Sequence, residues 1–185
     1  MPRATVLTRE VILNAAFDIV REEGFGALSA RSVAKRLNCS VRPAYDTFGS
    51  MDGLKREVAA RVQEEVDKLI YGYRKTGRPF FDLGLGYVYT AHAEPVLFRA
   101  FYSEHMLGRK LDELQPNDCV MQALRHELGD ANVPQEKLAE VVVNAWLYVY
   151  GLASFIASGT LVYDEEKIMQ RFTGIWNNIL KGLKP

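Results

Sequence analysis

Cysteine is nearly absent from this 185-residue chain: the two present, Cys39 and Cys119, are far apart. That excludes a disulfide framework and any cysteine spacing suited to a metal. Histidine is scarce too, with three residues. His92 near Glu94, and Glu104 beside His105, give poor ligand geometry on a helix, so no metal site is expected. The chain has no run of 18 apolar residues, which argues against a membrane span. Its start, "MPRATVLTRE", has no apolar core of a secretory signal. A reducing cytoplasmic setting with no membrane partner follows as an expectation. The motifs of catalysis are missing as well. No Gly-rich phosphate loop follows a strand, no serine elbow occurs, and no Cys/His pairing has a known spacing. Acids with bases three or four residues away read as surface pairs along helices. The expectation is no enzyme and no cofactor. An excess of charge of either sign is also lacking: 23 Lys and Arg balance 23 Asp and Glu, which argues against indiscriminate binding to nucleic acid.

What is present is the composition of an ordinary globular protein, 48% hydrophobic and 25% charged. The length suits one large domain, or a small one joined to a larger. Charge is unevenly placed. Residues 29–56 carry Arg31, Lys35, Arg36, Arg42, Lys55 and Arg56 against Asp46 and Asp52, whereas residues 61–185 hold 14 basic and 16 acidic residues. This points to a small basic N-terminal module on a mildly acidic body.

Helical periodicity runs through the whole chain. Ile12, Ala15, Ala16, Ile19 and Val20 form a helical stripe, with Thr8 as its N-cap and Gly24 beyond its end. After the turn "FGALS", Ser29 is expected to cap a second helix, Ala30 to about Leu37, burying Val33, Ala34 and Leu37. "NC" makes a brief turn, and Ser40 is expected to cap a third helix, about Val41 to Phe48. Pro43 lies in its first turn, where backbone N–H groups lack intrahelical partners anyway. Ser50 is expected to cap a long fourth helix from Met51 to roughly Arg74. Further helices open at Pro79 and Pro95, follow Pro116 near Asp118–Leu128, open at Pro134 and run to about Ser158, and follow Asp164 over Glu165–Leu183. No strand alternation, internal repeat or low-complexity tract is evident. The expected fold class is all-α: an N-terminal three-helix helix-turn-helix module over residues 1–55, joined by a long helix to a helical domain over 56–185.

In the runs "ILNAAFDIVREEGFGALS", "VAKRLNCS" and "YDTFGSMDGL" the module resembles the TetR family of transcriptional regulators. The family's pattern is an Ile-Leu-x-Ala-Ala helix, a Glu-x-Gly turn closed by Ser or Thr, a helix ending Leu-Gly-Val-Ser, and a Tyr-x-x-Phe-x-Ser-Lys-x-x-Leu close. The three runs match it closely over residues 8–60. Beyond them, "AHAEPVLFRAFY" is similar to a family helix break, and the last two helices are similar to those that form a dimer bundle.

The resemblance implies a recognition helix at 41–48 entering the major groove of double-stranded DNA. Periodicity puts Ala44 and Phe48 inward and Val41, Arg42, Tyr45 and Asp46 outward. Arg42 suits a bidentate contact to guanine. Tyr45 suits a phosphate, a sugar or a thymine methyl, and is alternatively a packing residue. Arg42 and Lys35 are alternatively solvated surface charges. Arg31 matches a family position that touches DNA, and Ser40 and Thr47 are phosphate candidates. The expected DNA-binding set is Arg31, Ser40, Val41, Arg42, Pro43, Tyr45, Thr47 and Lys55. Three residues depart from the family pattern: Met51 replaces a phosphate-holding Lys, Thr47 a common His, and Asp46 adds negative charge to the DNA-facing helix. Lys55 or Arg56 is placed to replace the missing contact. Cys39, where the family has Val, reads as a small buried hydrophobe.

The body is rich in aromatic residues over 80–160, which suits an apolar cavity with polar handles or, alternatively, a solid core. Tyr89, His92, Phe101, Tyr102, His105, Trp146 and Tyr150 are the expected lining of a ligand site. "KLAEVVVNAWLYVYGLASFIA" is apolar nearly all round, and Ile168, Phe172, Ile175, Trp176, Ile179 and Leu183 form a stripe on the last helix. Either these two helices build a homodimer interface or they complete the monomer core. The sequence thus leads to a DNA-binding regulator, expected to be a repressor. It would bind a near-palindromic operator as a dimer and be released by a small, mostly apolar effector. The alternative is a ligand-binding module of the same fold with weak DNA recognition, acting through a protein partner.

Overall fold

In a computed structural model, residues 7–105, 116–129 and 133–182 are described, without the side chains of 104–105 and 180–182. Leu183 and the side chain of His105 lie outside the described residues. Among those described the chain is all-α, with nine helices and no strand. They are α1 Arg9–Glu23, α2 Ala30–Leu37, α3 Arg42–Phe48, α4 Met51–Gly72, α5 Pro79–Ala93, α6 Pro95–His105, α7 Asp118–Leu128, α8 Gln135–Ala157 and α9 Glu165–Gly182. The chain divides into two compact units, Met1–Val66 with Val96–Leu107, and Asp67–Pro95 with Gly108–Pro185.

In the first unit, α1 packs against α2 and α3, and α2 against α3. The anticipated stripe of Ile12, Ala15, Ala16, Ile19 and Val20 is buried, together with Phe17. Thr8 caps α1 by accepting from the Val11 N–H at 3.3 Å. Leu54, Val58, Val62 and Val66 are buried along one face of α4. On α6, Leu97, Phe98, Ala100, Phe101 and Tyr102 are buried.

In the second unit, α5 packs against α7, α8 and α9, and α7 against α8. The stripe of α9 is partly satisfied there: Ile168, Phe172 and Trp176 are buried and Ile175 and Ile179 half-buried, with Phe172 edge-on to Phe81 at 5.6 Å and Trp176 against Phe80 at 5.4 Å. Asp164 caps α9 by accepting from the Lys167 N–H at 3.1 Å. Helix α8 differs. An 18-residue window has mean hydropathy 1.4, so by length and composition α8 is long and apolar enough to cross a membrane, although no 18-residue run is wholly apolar. One of its faces packs on α5, while Leu147 and Phe155 stay 41% and 55% exposed.

Some acidic side chains pair along the chain as expected, Asp164 with Lys167 at 3.0 Å among them, but others do not. Glu127 of α7, 5% exposed, pairs with Arg78 at 2.6 Å and accepts from the Phe81 N–H at 3.1 Å. It thereby satisfies an open donor at the start of α5. Buried Asp82 accepts from the N–H and hydroxyl of Thr76 at 3.0 and 2.8 Å. Lys75, in the segment between α4 and α5, reaches Glu165 of α9 at 2.5 Å. These carboxylates tie elements together instead of decorating single helix faces. Near the last pair, the Tyr73 hydroxyl is pushed up to about 12, first by burial and then by the charge of Glu165.

Candidate nucleic-acid interface

Helices α2 and α3 are built by different local rules. Ser29 is extended and accepts from the Ser32 N–H at 3.1 Å, while the Ser32 hydroxyl accepts from the Ser29 N–H at 2.9 Å. This reciprocal box holds the start of α2. The helix ends where Asn38 takes the left-handed conformation, φ 51°, and the Cys39 N–H donates to the Ala34 carbonyl at 2.9 Å. Val33 and Ala34 are buried, but Leu37 and Cys39 are half-buried.

Helix α3 begins one residue later than the sequence suggested, at Arg42. Ser40 does not cap it. The N-cap is Val41, with helical φ and ψ of −70° and −18° and no side-chain cap bond. Pro43 weakens that alternative. With Ser40 as N-cap, Pro43 would be the third helical residue, and of the two N–H groups a serine hydroxyl can accept from only that of Arg42 would remain. Pro43 sits instead at the second helical position, as its fixed φ favours.

The far end of α3 is held from outside the helix. Gly49, φ 73°, donates its N–H to the Tyr45 carbonyl at 2.9 Å. Arg9 of α1 donates to the Thr47 carbonyl at 3.0 Å, lies 4.6 Å over the Phe48 ring and pairs with Glu57 of α4. Ser50 caps α4 by accepting from the Gly53 N–H at 3.0 Å. A β-carbon on Gly53 would stand 2.3 Å from the Phe48 carbonyl oxygen, so the tight α3–α4 turn requires glycine there.

The faces of α3 follow the periodicity. Ala44 and Phe48 are buried, whereas Val41 and Tyr45 are 40% and 46% exposed. Arg42 and Asp46 project further, with side chains 84% and 64% exposed, and form an ion pair of 3.3 Å between Nε and Oδ2. Arg31, Ser40 and Lys55 are exposed, and Pro43, Thr47 and Met51 are half-buried. The expected DNA-binding residues therefore all fall within the first unit on or beside α2, α3 and the start of α4. Arg36 behaves otherwise. Its guanidinium pairs with Glu22 of α1 and lies 4.0 Å from Asp18, and the hydrogen bond to Glu22 raises its pKa further.

The expected ligand-lining residues are distributed over both units. Phe101 and Tyr102 belong to the first, with their rings edge-on at 4.9 Å. Tyr89, His92, Trp146 and Tyr150 belong to the second. There Tyr89 lies 5.6 Å from Tyr73, His92 stacks on Tyr163 at 4.2 Å, and Trp146 stacks on Tyr150 at 5.3 Å. Among the described residues no group of three or more His, Cys, Asp or Glu could hold a metal ion.

Residues 12–58 match the family model described as bacterial regulatory proteins, tetR family. The fold is similar to that of a TetR family transcriptional regulator from Pseudomonas syringae pv. tomato str. DC3000, with a TM-score of 0.61 and 16% identity, covering 96% of this chain and 97% of that one. It is also similar to a TetR family protein from Vibrio parahaemolyticus, with a TM-score of 0.54 and 16% identity, covering 91% and 96% of the two chains. No curated protein sequence matches the chain.

Proposed function

From a chain that carries the TetR-family regulatory domain at residues 12–58, we propose a transcriptional regulator that binds double-stranded DNA as a homodimer in the cytoplasm and acts as a repressor. Residues 1–55 serve as the DNA-binding domain and 56–185 as the ligand-binding and dimerisation domain. The observation that carries this reading is the outward face of α3. Val41, Arg42, Tyr45 and Asp46 point away from a core that fixes Ala44 and Phe48. A seven-residue helix presented in this way suits the major groove. Arg42 reads a guanine, Tyr45 and Val41 meet sugar or thymine methyl, and Arg31, Ser40, Thr47 and Lys55 contact phosphates.

Dimerisation is supported by α8, which leaves Leu147 and Phe155 exposed, and by α9, whose Ile175 and Ile179 are only half-buried. Large apolar side chains open to water on a long apolar helix favour a second copy over solvent. Two recognition helices about 34–36 Å apart would read a near-palindromic operator. A small, mostly apolar effector, bound among the aromatic residues of the body, releases DNA by favouring the arrangement that fits the operator less well. Coupling of this kind is typically about 1–3 kcal/mol, roughly 5–150-fold in affinity. A second reading, a ligand-binding module with weak DNA recognition that acts through a protein partner, is favoured by Asp46 on the DNA-facing surface and Met51 at a usual lysine position.

Selection of bound fragments from random-sequence DNA, followed by fluorescence anisotropy, tests the first reading. An enriched palindromic site that weakens at least about tenfold with Arg42→Ala or Tyr45→Ala is expected. Failure to enrich any sequence would leave the second reading in place. Sedimentation of Leu147→Glu and Phe155→Glu variants tests the dimer, which should dissociate.

A further inference from the structure

The ion pair on the recognition helix raises a question of its own, because an acid facing phosphates is repulsive and Asp46 has no other described partner. Resting on the DNA-binding reading above, we infer that Asp46 is a positioning residue. It fixes the Arg42 guanidinium so that its terminal edge meets a guanine.

The geometry carries the argument. Arg42 and Asp46 are one helical turn apart and side by side. The contact uses Nε of Arg42, at 3.3 Å from the Asp46 carboxylate. A guanidinium has five N–H donors in a planar fork. Nε is the guanidinium nitrogen nearest the carboxylate, so the two terminal nitrogens remain, and their outer N–H bonds lie parallel, as guanine O6 and N7 require. The side-on approach, which needs Nε, is hindered by the carboxylate beside it. In water an exposed pair of this type is weak. In the groove, where water is displaced, the same pair is strengthened, and the side chain enters already oriented. The pairing also gives Asp46 a reason to be tolerated next to phosphates, since the two groups together are neutral. Asp46 would not touch the base. Its contribution is to the choice of base, not to the strength of backbone contact.

The rival role for Asp46 is direct acceptance of a hydrogen bond from a cytosine amino group. The two roles differ in which base pair they affect. The full-length chain is used to select a site from random-sequence DNA. Affinities for that site and its single-base variants are then measured for wild type, Arg42→Ala, Asp46→Ala, Asp46→Asn and the Arg42→Ala/Asp46→Ala double variant. We expect Arg42→Ala to lower preference for one guanine by about tenfold or more. Asp46→Ala should lower preference at that same guanine by about three- to tenfold, while tightening binding to unrelated sequence as a negative charge is removed. Asp46→Asn keeps an acceptor for Nε–H and should restore most of the preference. The double variant should be no less selective than Arg42→Ala alone. An Asp46→Ala effect at a different base pair, a uniform tightening with selectivity intact, or an Asp46→Asn variant as poor as Asp46→Ala would each overturn the positioning role alone. A wild-type chain that enriches no sequence would overturn the DNA-binding reading, and this role with it.

Discussion

Helices α2 and α3 are nearly equal in length, eight and seven residues, yet they are stabilised in opposite ways. Helix α2 carries its own start in the Ser29–Ser32 box and its own stop in Asn38. Helix α3 has no side-chain cap at its start, and its end is gripped by Arg9, whose contacts lie 38 residues away in the chain. One helix is specified locally and the other by the fold around it. Neither is long enough to be stable by itself, but the element with the exposed outward face is the one whose end is held from outside it.

Four substitutions would break or sharpen this contrast. Phe48→Ala should have the largest effect, because Phe48 is one of two buried anchors of α3 and the ring beneath Arg9. A loss of about 3 kcal/mol is expected from thermal unfolding of the first unit. Ser29→Ala removes the half of the α2 box in which the Ser29 hydroxyl accepts from the Ser32 N–H, and should lose about 1 kcal/mol in the same measurement. Arg9→Ala removes one exposed ion pair, one cation–π contact and one carbonyl bond, so roughly 0.5–1 kcal/mol is expected. Its signature should be local: faster amide hydrogen exchange in α3 than in α2. Ser40→Ala should change stability by less than about 0.5 kcal/mol, since its hydroxyl caps nothing. A loss equal to that of Ser29→Ala would show that α3 is capped locally after all.

The same contrast explains what could be read before the structure was seen. Thr8, Ser29, Ser50 and Asp164 cap as their positions suggested, because capping depends on residues three apart. The prolines at 79 and 95 open helices for the same local reason. Ser40 misled because the rule that nominates a serine does not ask whether the residue three ahead has an N–H. Arg9, Gly53 and the Arg36–Glu22 pair gave no signal, since each acts on a partner brought near only by folding or by a tight turn. The Arg42–Asp46 pair was within reach, because i,i+4 spacing alone places the two groups together. The aromatic residues of the body were the least legible. Core and cavity wall draw on the same side chains, and no spacing separates them.

Arg36 changes how the basic character of the module should be counted. Composition lists it with the cations of residues 29–56, but Glu22 and Asp18 already neutralise it on the side facing α1. Arg42 is likewise matched by Asp46, leaving Arg31, Lys35, Lys55 and Arg56 as exposed cations with no described ion pair. Each phosphate neutralised releases about 0.9 of a condensed counterion. The dependence of any operator affinity on ionic strength should therefore be gentler than a tally of lysines and arginines implies, and sequence preference should survive in salt that strips away looser, purely ionic attachment.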